Sequence, residues 1–334
     1  MVTVAVVGTG GWGKNLVRNF AGLPNTRLKT VCDLNEQLLA KQQAAWPDVA
    51  ATTSFADVLA DAEIDAVVIA TTAPTHFDLA RKALDAGKHV YVEKPMTLAV
   101  EDAETLVAAA DTAGLTLMVG HLLEYHPCVL KLKELIDAGE LGRLYYAYMH
   151  RLNLGVVRKD ENAWWSLAPH DVSVALFLLG AEPATVTSQG QAYLRPGVED
   201  VVFTQLEFAD GRMVNIHVSW LDPHKMRKIT LVGTDRMVTF DDMEPTEKIR
   251  VYDKSANLTP GSVDYADAIS LRQGDIKIPY VKGDEPLRIE CQHFIDCVTD
   301  GRTPRSDGRD GLRVVRVLDA ATRSLKGGGT PIAL

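Results

Sequence analysis

The chain has 334 residues, 46% of them hydrophobic, and a formal net charge of −9. That is enough apolar side chain for one large or two ordinary domains with substantial cores. The acidic balance, with no Lys/Arg cluster longer than a few residues, excludes a broad surface for nucleic acid or anionic membrane, so the expected partners are small molecules. The start "MVTVAVVGTG" has no basic leader, and its short apolar run ends in glycines, so no signal peptide is expected. No apolar run approaches the roughly 20 residues needed to span a bilayer. Cys32, Cys128, Cys291 and Cys297 are scattered without metal or redox spacing and read as reduced core thiols of a cytoplasmic protein.

Along the first 120 residues, short β-rich runs alternate with helical patterns. "VTVAVVG" precedes "GKNLVRNFAGL", "RLKTVCD" precedes "NEQLLAKQQAAW", "DAVVIAT" precedes "THFDLARKALDAG", and "HVYVEK" precedes "AVEDAETLVAAADTAG", before "TLMVGH" closes the series. Strands that are apolar almost throughout, separated by helices, predict a parallel sheet covered on both faces, a doubly wound α/β domain over 1–120. Beyond Gly120 the pattern changes. Helices are predicted at about 127–138 and 169–179, with strands at "RLYYAYMHRL", "ATVTSQGQAYL", "VVFTQLEFA", "MVNIHVSWL", "KITLVG" and "RMVTFD", joined by tight turns such as "ADGR". This predicts an α+β domain over 121–334 with a large, mainly antiparallel open sheet. The segment 246–285, rich in Asp, Gly and Pro, reads as an irregular surface excursion. A last helix at about 308–326 is expected to pack back on the first domain.

"VAVVGTGGWGKNLV" places Gly8, Gly10 and Gly13 in G-x-G-x-x-G spacing between a strand and a helix. The first glycine permits the tight turn, the second lets a pyrophosphate approach the backbone, and the third lets helix and strand pack closely. Gly8, Thr9, Gly10, Gly11, Trp12 and Gly13 are therefore candidates to hold a dinucleotide in a Rossmann domain. Asp33, at the end of the next strand, can bind both ribose hydroxyls, and Leu34 and Asn35 after it offer no arginine to a 2′-phosphate. The expected cofactor is NAD rather than NADP. The plainer reading of Asp33 is a cap for the helix near Asn35.

Two further strand ends complete the candidate cofactor surface, because ligands of such sheets sit beyond the carboxyl ends of the strands. "ATTAPTHFDLA" offers Thr71, Pro74 and His76, with His76 equally readable as a first-turn helical residue. "VYVEKPMTLAV" offers Glu93 and Lys94 before Pro95, whose ring fixes the chain direction after the lysine.

"VVGTGGWGKN", "VVIATTAPTHFDLARKALDAGKHVYVEKPMTL" and "LAPHDVSVALFLLG" together resemble the Gfo/Idh/MocA oxidoreductases, a likeness in domain order over essentially the whole chain. The resemblance implies hydride transfer between a nicotinamide and a sugar, cyclitol or related carbonyl compound. It also implies a C-terminal sheet that forms homodimer or homotetramer contacts. It places Lys94 at the catalytic site and makes His170, in "WSLAPHDVSVALFLLG", the residue that moves a proton at the substrate oxygen. An imidazole titrates near neutrality and suits that work, while the Lys94 ammonium would stabilise a developing alkoxide. The two side chains are expected to converge on one oxygen beside the reactive nicotinamide carbon.

One position departs from the pattern. Many members carry an aspartate four residues before this histidine, where this chain has Ser166. Asp171 adjoins His170 but points about 100° away on a helix and is a poor substitute. "GHLLEYHP" with "PHD" looks closest to members acting on nucleotide-linked sugars, particularly N-acetylhexosamine uronates. Arg151, Asn153, Arg158, Lys159, Asn162, Trp164 and Trp165, ahead of His170, are candidates to hold such a substrate, the cations through carboxylate or phosphate oxygens and the indoles by stacking. Tyr125 and His121 are candidates to face the same cleft. The expected function is thus an NAD-dependent sugar dehydrogenase, with no metal. The alternatives are a dehydrogenase of a free cyclitol or hexose, or a dinucleotide-sensing regulator without turnover.

Overall fold

The structure is a computed structural model that describes residues 1–155, 157–158, 161–258 and 269–334. Two compact units emerge, Met1–Tyr125 with Asp284–Arg316, and His126–Gly283 with Val317–Leu334.

The first unit runs β1 (Val2–Val7), α1 (Gly13–Ala21), β2 (Thr26–Cys32), α2 (Glu36–Ala45), β3 (Ala50–Thr52), α3 (Phe55–Ala60), β4 (Ala66–Ile69), α4 (His76–Asp85), β5 (His89–Glu93), α5 (Val100–Ala113) and β6 (Leu117–Gly120). The strands form one parallel sheet in the order β3-β2-β1-β4-β5-β6. Every residue of β1 is buried, as a strand covered on both faces requires. Alternate side chains serve the two cores: Val2, Val4 and Val6 join Leu16, Val17 and Phe20 of α1, whereas Ala5 and Val7 join Ala80, Ala83 and Leu84 of α4 and Ala103, Leu106 and Ala110 of α5.

Sequence periodicity misses a late helix in this unit. The helix Pro286–Asp300, numbered α9 in chain order below, inserts Leu287, Cys291, Phe294 and Ile295 into the α1 side of the sheet. Phe294 meets Phe20 and Tyr91 edge-on, with ring centroids 6.3 and 5.7 Å apart.

The second unit contains α6 (Pro127–Asp137), β7 (Leu144–Leu152), α7 (Ala163–Leu167), α8 (Pro169–Leu179), β8 (Thr185–Gln191), β9 (Val201–Glu207), β10 (Met213–Ser219), β11 (Met226–Gly233), β12 (Met237–Asp241), β13 (Ile249–Leu258), β14 (Ile269–Lys277) and β15 (Ile332–Ala333). After α9, α10 (Gly308–Lys326) belongs to the first unit through Arg316 and to the second from Val317. The nine strands are ordered β14-β13-β12-β11-β7-β10-β9-β8-β15, antiparallel except for the β7–β10 pair. Burial alternates along β9, β10 and β12, the signature of a sheet covered on one face.

The expectation of an irregular excursion over 246–285 is corrected: residues 249–258 and 269–277 are strands that pair with each other and extend the sheet. β13 opens on the buried Ile249 and Val251, but along β14 Leu271 and Ile276 are 71% and 51% exposed, so the buried apolar alternation that marks the other strands does not continue to this edge.

Candidate active site

The glycine loop follows from steric exclusion. Gly8 has φ +88°, and a Cβ there would lie 2.7 Å from Ala70 O; a Cβ on Gly13 would lie 1.9 Å from Gly8 O. Both positions are closed by the protein itself. Gly10 is different: its nearest protein neighbour would be Leu38 Cδ1 at 3.9 Å, and Gly11 meets nothing within 4 Å. The open side at Gly10 and Gly11 is the room a pyrophosphate needs to reach the backbone. The nine-residue helix α1 starts beside it without a side-chain cap, its Lys14 and Asn15 N–H groups turning back onto Gly10 O and Trp12 O. These features fit a dinucleotide.

Asp33 does not cap α2; Asn35 does, accepting from the N–H groups of Gln37 and Leu38. Asp33 instead ties the loop to β2. Its Oδ2 accepts from the Thr9 N–H (2.7 Å) and hydroxyl (3.1 Å), and its Oδ1 from the Asn35 N–H (2.9 Å). Thr9 is buried, and its side chain is occupied by this bond.

At the end of β4, the Thr71 and Thr75 hydroxyls are 2.7 Å apart. His76, buried at the start of α4, places Nδ1 2.8 Å from Pro95 O and Nε2 3.2 Å from Thr71 O. Burial lowers its pKa, the two carbonyls oppose the fall and the Lys94 charge adds to it; the ring lies between the loops after β4 and β5, and in its neutral form can donate to one of the two carbonyls. Pro74 lies in the 3₁₀ turn between Thr71 and His76. Glu93 ends β5, buried, with Trp12 Nε1–H donating to its Oε1 at 2.5 Å and the Lys94 N–H to its Oε2 at 3.2 Å. Burial raises its pKa, and the Lys94 charge and the indole N–H oppose the rise.

Tyr125 and His121 sit in the interior of the first unit. Tyr125 is fully buried, its hydroxyl 2.9 Å from Ser306 Oγ and its ring 4.9 Å beneath the Arg305 guanidinium. His121 Nδ1 lies 2.8 Å from Asp310 Oδ2 and 3.4 Å from Glu124 Oε1, while Arg313 donates to Asp310 Oδ1 at 2.5 Å. His121, Glu124 and Asp310 are buried together, and the partly exposed Arg313 closes the cluster at Asp310. Burial disfavours the imidazolium, but the bonds to Asp310 and Glu124 prevail and raise His121 to about 10. Burial, then the Asp310 charge, raise Glu124 to about 8.

A proton held more tightly in the folded chain than in the unfolded one stabilises the fold until the pH passes the folded pKa. The His121 contribution is therefore complete below about pH 6.5 and lost by about pH 10. The Glu124 proton acts in the same direction, its contribution being lost between about 4.5 and about 8. In thermal denaturation across pH 6.5 to 10, the stability advantage of the wild type over Glu124→Gln should shrink as pH rises. An advantage that stays constant or grows would contradict the assignment.

In the second unit, Ser166 lies in α7 and His170 in the first turn of α8, with Ala168 joining the two helices. Asp171 is 2% exposed and grips Arg151, Nε at 2.5 Å and Nη2 at 3.2 Å. Arg151, expected to bind substrate oxyanions, is thus committed to fixing the turn that carries His170. Asn162 is the cap of α7, accepting from Trp165 N–H and donating to Glu199. Trp164 is core, its Nε1–H on Leu318 O, and the half-buried Trp165 donates to Thr322 Oγ1 at 3.0 Å. The Asn153 N–H donates to Ser219 O, and Arg158 is exposed and paired with Glu161 at 3.1 Å. Lys159 lies outside the described residues. All four cysteines are buried and without disulfides.

A glycine loop with two closed glycines and two open ones, joined to a strand-end carboxylate, defines an NAD-binding Rossmann domain. Residues 2–121 match the oxidoreductase-family model described as an NAD-binding Rossmann fold, and residues 129–239 match the GFO/IDH/MocA C-terminal domain. The chain belongs to the Gfo/Idh/MocA family.

It is 28% identical to scyllo-inositol 2-dehydrogenase (NAD(+)) of Bacillus subtilis, covering 100% of this chain and 96% of the relative. It is 29% identical to UDP-N-acetylglucosamine 3-dehydrogenase of Acidithiobacillus ferrooxidans over 93% of each chain. The solved structure of UDP-N-acetylglucosamine 3-dehydrogenase GnnA from that organism superposes with TM-score 0.84 at 26% identity over 98% of both chains. The WlbA dehydrogenase of Bordetella pertussis, solved with NADH and UDP-GlcNAcA, gives TM-score 0.80 at 25% identity over 100% of this chain and 98% of that one.

Proposed function

We propose that this protein is a dehydrogenase that exchanges hydride between NAD and a CH–OH group of a nucleotide-linked sugar in glycan biosynthesis. The observation that carries the reading is the placement of Lys94 at the carboxyl end of β5, in the sheet whose β1 and β2 end in the dinucleotide loop and Asp33. A lysine there stands where a reacting group belongs in this topology. Bound NAD supplies the hydride acceptor. Lys94 supplies the cation that stabilises the alkoxide, and His170 the base that takes the hydroxyl proton and returns it in the reverse direction. Asp33 favours NAD over NADP: Leu34, 90% exposed, and the capping Asn35 bring no cation to meet a 2′-phosphate.

Ser166 favours a nucleotide sugar over a free cyclitol or hexose, since serine cannot supply the charge that a histidine–aspartate pair would use. The likeness to UDP-N-acetylglucosamine 3-dehydrogenase points the same way, and the likeness to scyllo-inositol 2-dehydrogenase keeps the cyclitol alternative in the assay. Trp165 and Arg158 are proposed as the indole face and the exposed guanidinium available to substrate. Homo-oligomer contacts are proposed on the sheet of the second unit, where Phe203, Met213 and Tyr146 are each more than 40% exposed.

The test is NADH formation with UDP-N-acetylhexosamines, their C6 acids, inositols and free hexoses, each offered with NAD and with NADP. Turnover of a UDP-sugar with NAD preferred supports the proposal. A cofactor that binds but stays oxidised across the whole set leaves the sensing alternative.

A further inference from the structure

Trp12 occupies a loop position at which the dinucleotide motif makes no demand on side-chain chemistry, yet its indole is anchored. It reaches Glu93, and both carboxylate oxygens of Glu93 are in use, Oε1 by the indole N–H of the glycine loop and Oε2 by the backbone N–H of Lys94. Gly120, at the end of β6, leaves space for the carboxylate: a Cβ there would lie 2.9 Å from the Tyr91 hydroxyl and 3.1 Å from Glu93 Cδ. Since β4 lies between β1 and β5, the indole–carboxylate bridge spans two strand spacings, about 10 Å, over the end of β4. That is the switch point of the sheet, where a dinucleotide crosses. Trp12 remains 42% exposed while Glu93 is buried, so the bridge is a strap that runs from the surface inward.

We propose that Trp12 is a positioning residue for the reaction. By holding Glu93, it fixes the backbone at Lys94 and makes the phosphate-binding loop and the lysine turn one rigid piece. A dinucleotide seated in the loop then finds the ammonium already in register. The inference rests on the reading of Lys94 as catalytic. It assigns Trp12 an effect on turnover, whereas a residue that merely contacted the dinucleotide would act on affinity.

Trp12→Phe keeps the ring and removes the donor. With UDP-N-acetylglucosamine or its C6 acid and saturating NAD, kcat should fall about tenfold or more, since displacing a reacting group by ~1 Å costs up to ~100-fold. The NADH Kd should stay within about threefold, the split that separates positioning from binding. Glu93→Gln retains one acceptor but removes the charge beside the ammonium, so the alkaline limb of its kcat–pH profile should move to lower pH. The double variant should lose less than the product of the two single losses, because Glu93→Gln weakens the bond that Trp12→Phe removes. Unchanged kcat in Trp12→Phe, a loss confined to NADH affinity, or fully multiplicative losses in the double variant would overturn the inference. Lys94→Ala is run alongside: if it turns over normally, the catalytic reading has failed, and the strap has no reaction to serve.

Discussion

His170→Ala is expected to lower kcat/KM by about 10²- to 10⁴-fold, the range lost when a positioned general acid–base group is removed. The structure prepares this residue at two levels. Pro169 occupies the first turn of α8, where its fixed φ suits a helix start, and Ser173 Oγ donates to the His170 carbonyl at 3.1 Å. Next to it, the bidentate Arg151–Asp171 pair ties the same turn to β7. The backbone under the imidazole is therefore held by groups that do not themselves carry the proton. NADH affinity should be retained within about threefold, because the residues proposed to hold the dinucleotide belong to the first unit. Arg151→Met should lose part of the same activity by loosening the turn, since breaking a buried ion pair leaves Asp171 uncompensated. Steady-state kinetics with NADH fluorescence titration separates these effects; unaltered turnover in His170→Ala would remove the histidine from the mechanism.

Gly13→Ala is expected to abolish NADH binding and to destabilise the first unit by several kcal/mol. A methyl group 1.9 Å from Gly8 O cannot be absorbed by a rotamer change, because the opposing atom is backbone. Either α1 moves away from β1, which strips the Leu16, Val17 and Phe20 contacts from the core, or the Gly8 turn deforms and the phosphate site is lost. Gly11→Ala is the matched control, since its Cβ meets nothing within 4 Å, and it should fold like the wild type. Thermal melts and NADH titration of both variants check the contrast; equal behaviour would contradict the steric argument.

The parallel sheet was legible because its strands are buried on both faces and read as unbroken apolar runs between helices. β13 and β14 were not, because an edge pair that is largely exposed carries no such signal and its Gly and Asp content imitates a loop. α9 was missed for another reason: its apolar face completes a core built more than 160 residues earlier in the chain, and no local pattern announces that partner. The site shows the same division. The steric demand at Gly8 and Gly13 could be read from spacing alone, since each answers a local close approach of backbone. Tyr125, His121 and Arg151 could not be assigned, because polar side chains look alike in sequence whether they meet a ligand or a buried partner. Their partners Ser306, Asp310 and Asp171 lie 181, 189 and 20 residues away. The Trp12–Glu93 bond, across 81 residues, is of the same kind.

Hydride transfer is tested most directly with a UDP-N-acetylhexosamine, or its C6 acid, that carries deuterium on the ring carbons. On incubation with the protein and NAD, the reduced cofactor should gain one deuterium atom, transferred as deuteride and read by mass spectrometry, and neither Lys94→Ala nor His170→Ala should produce it at a comparable rate. Reduced cofactor that forms without the label, or a labelled sugar left intact beside tightly bound NAD, would contradict a dehydrogenase acting on the sugar ring.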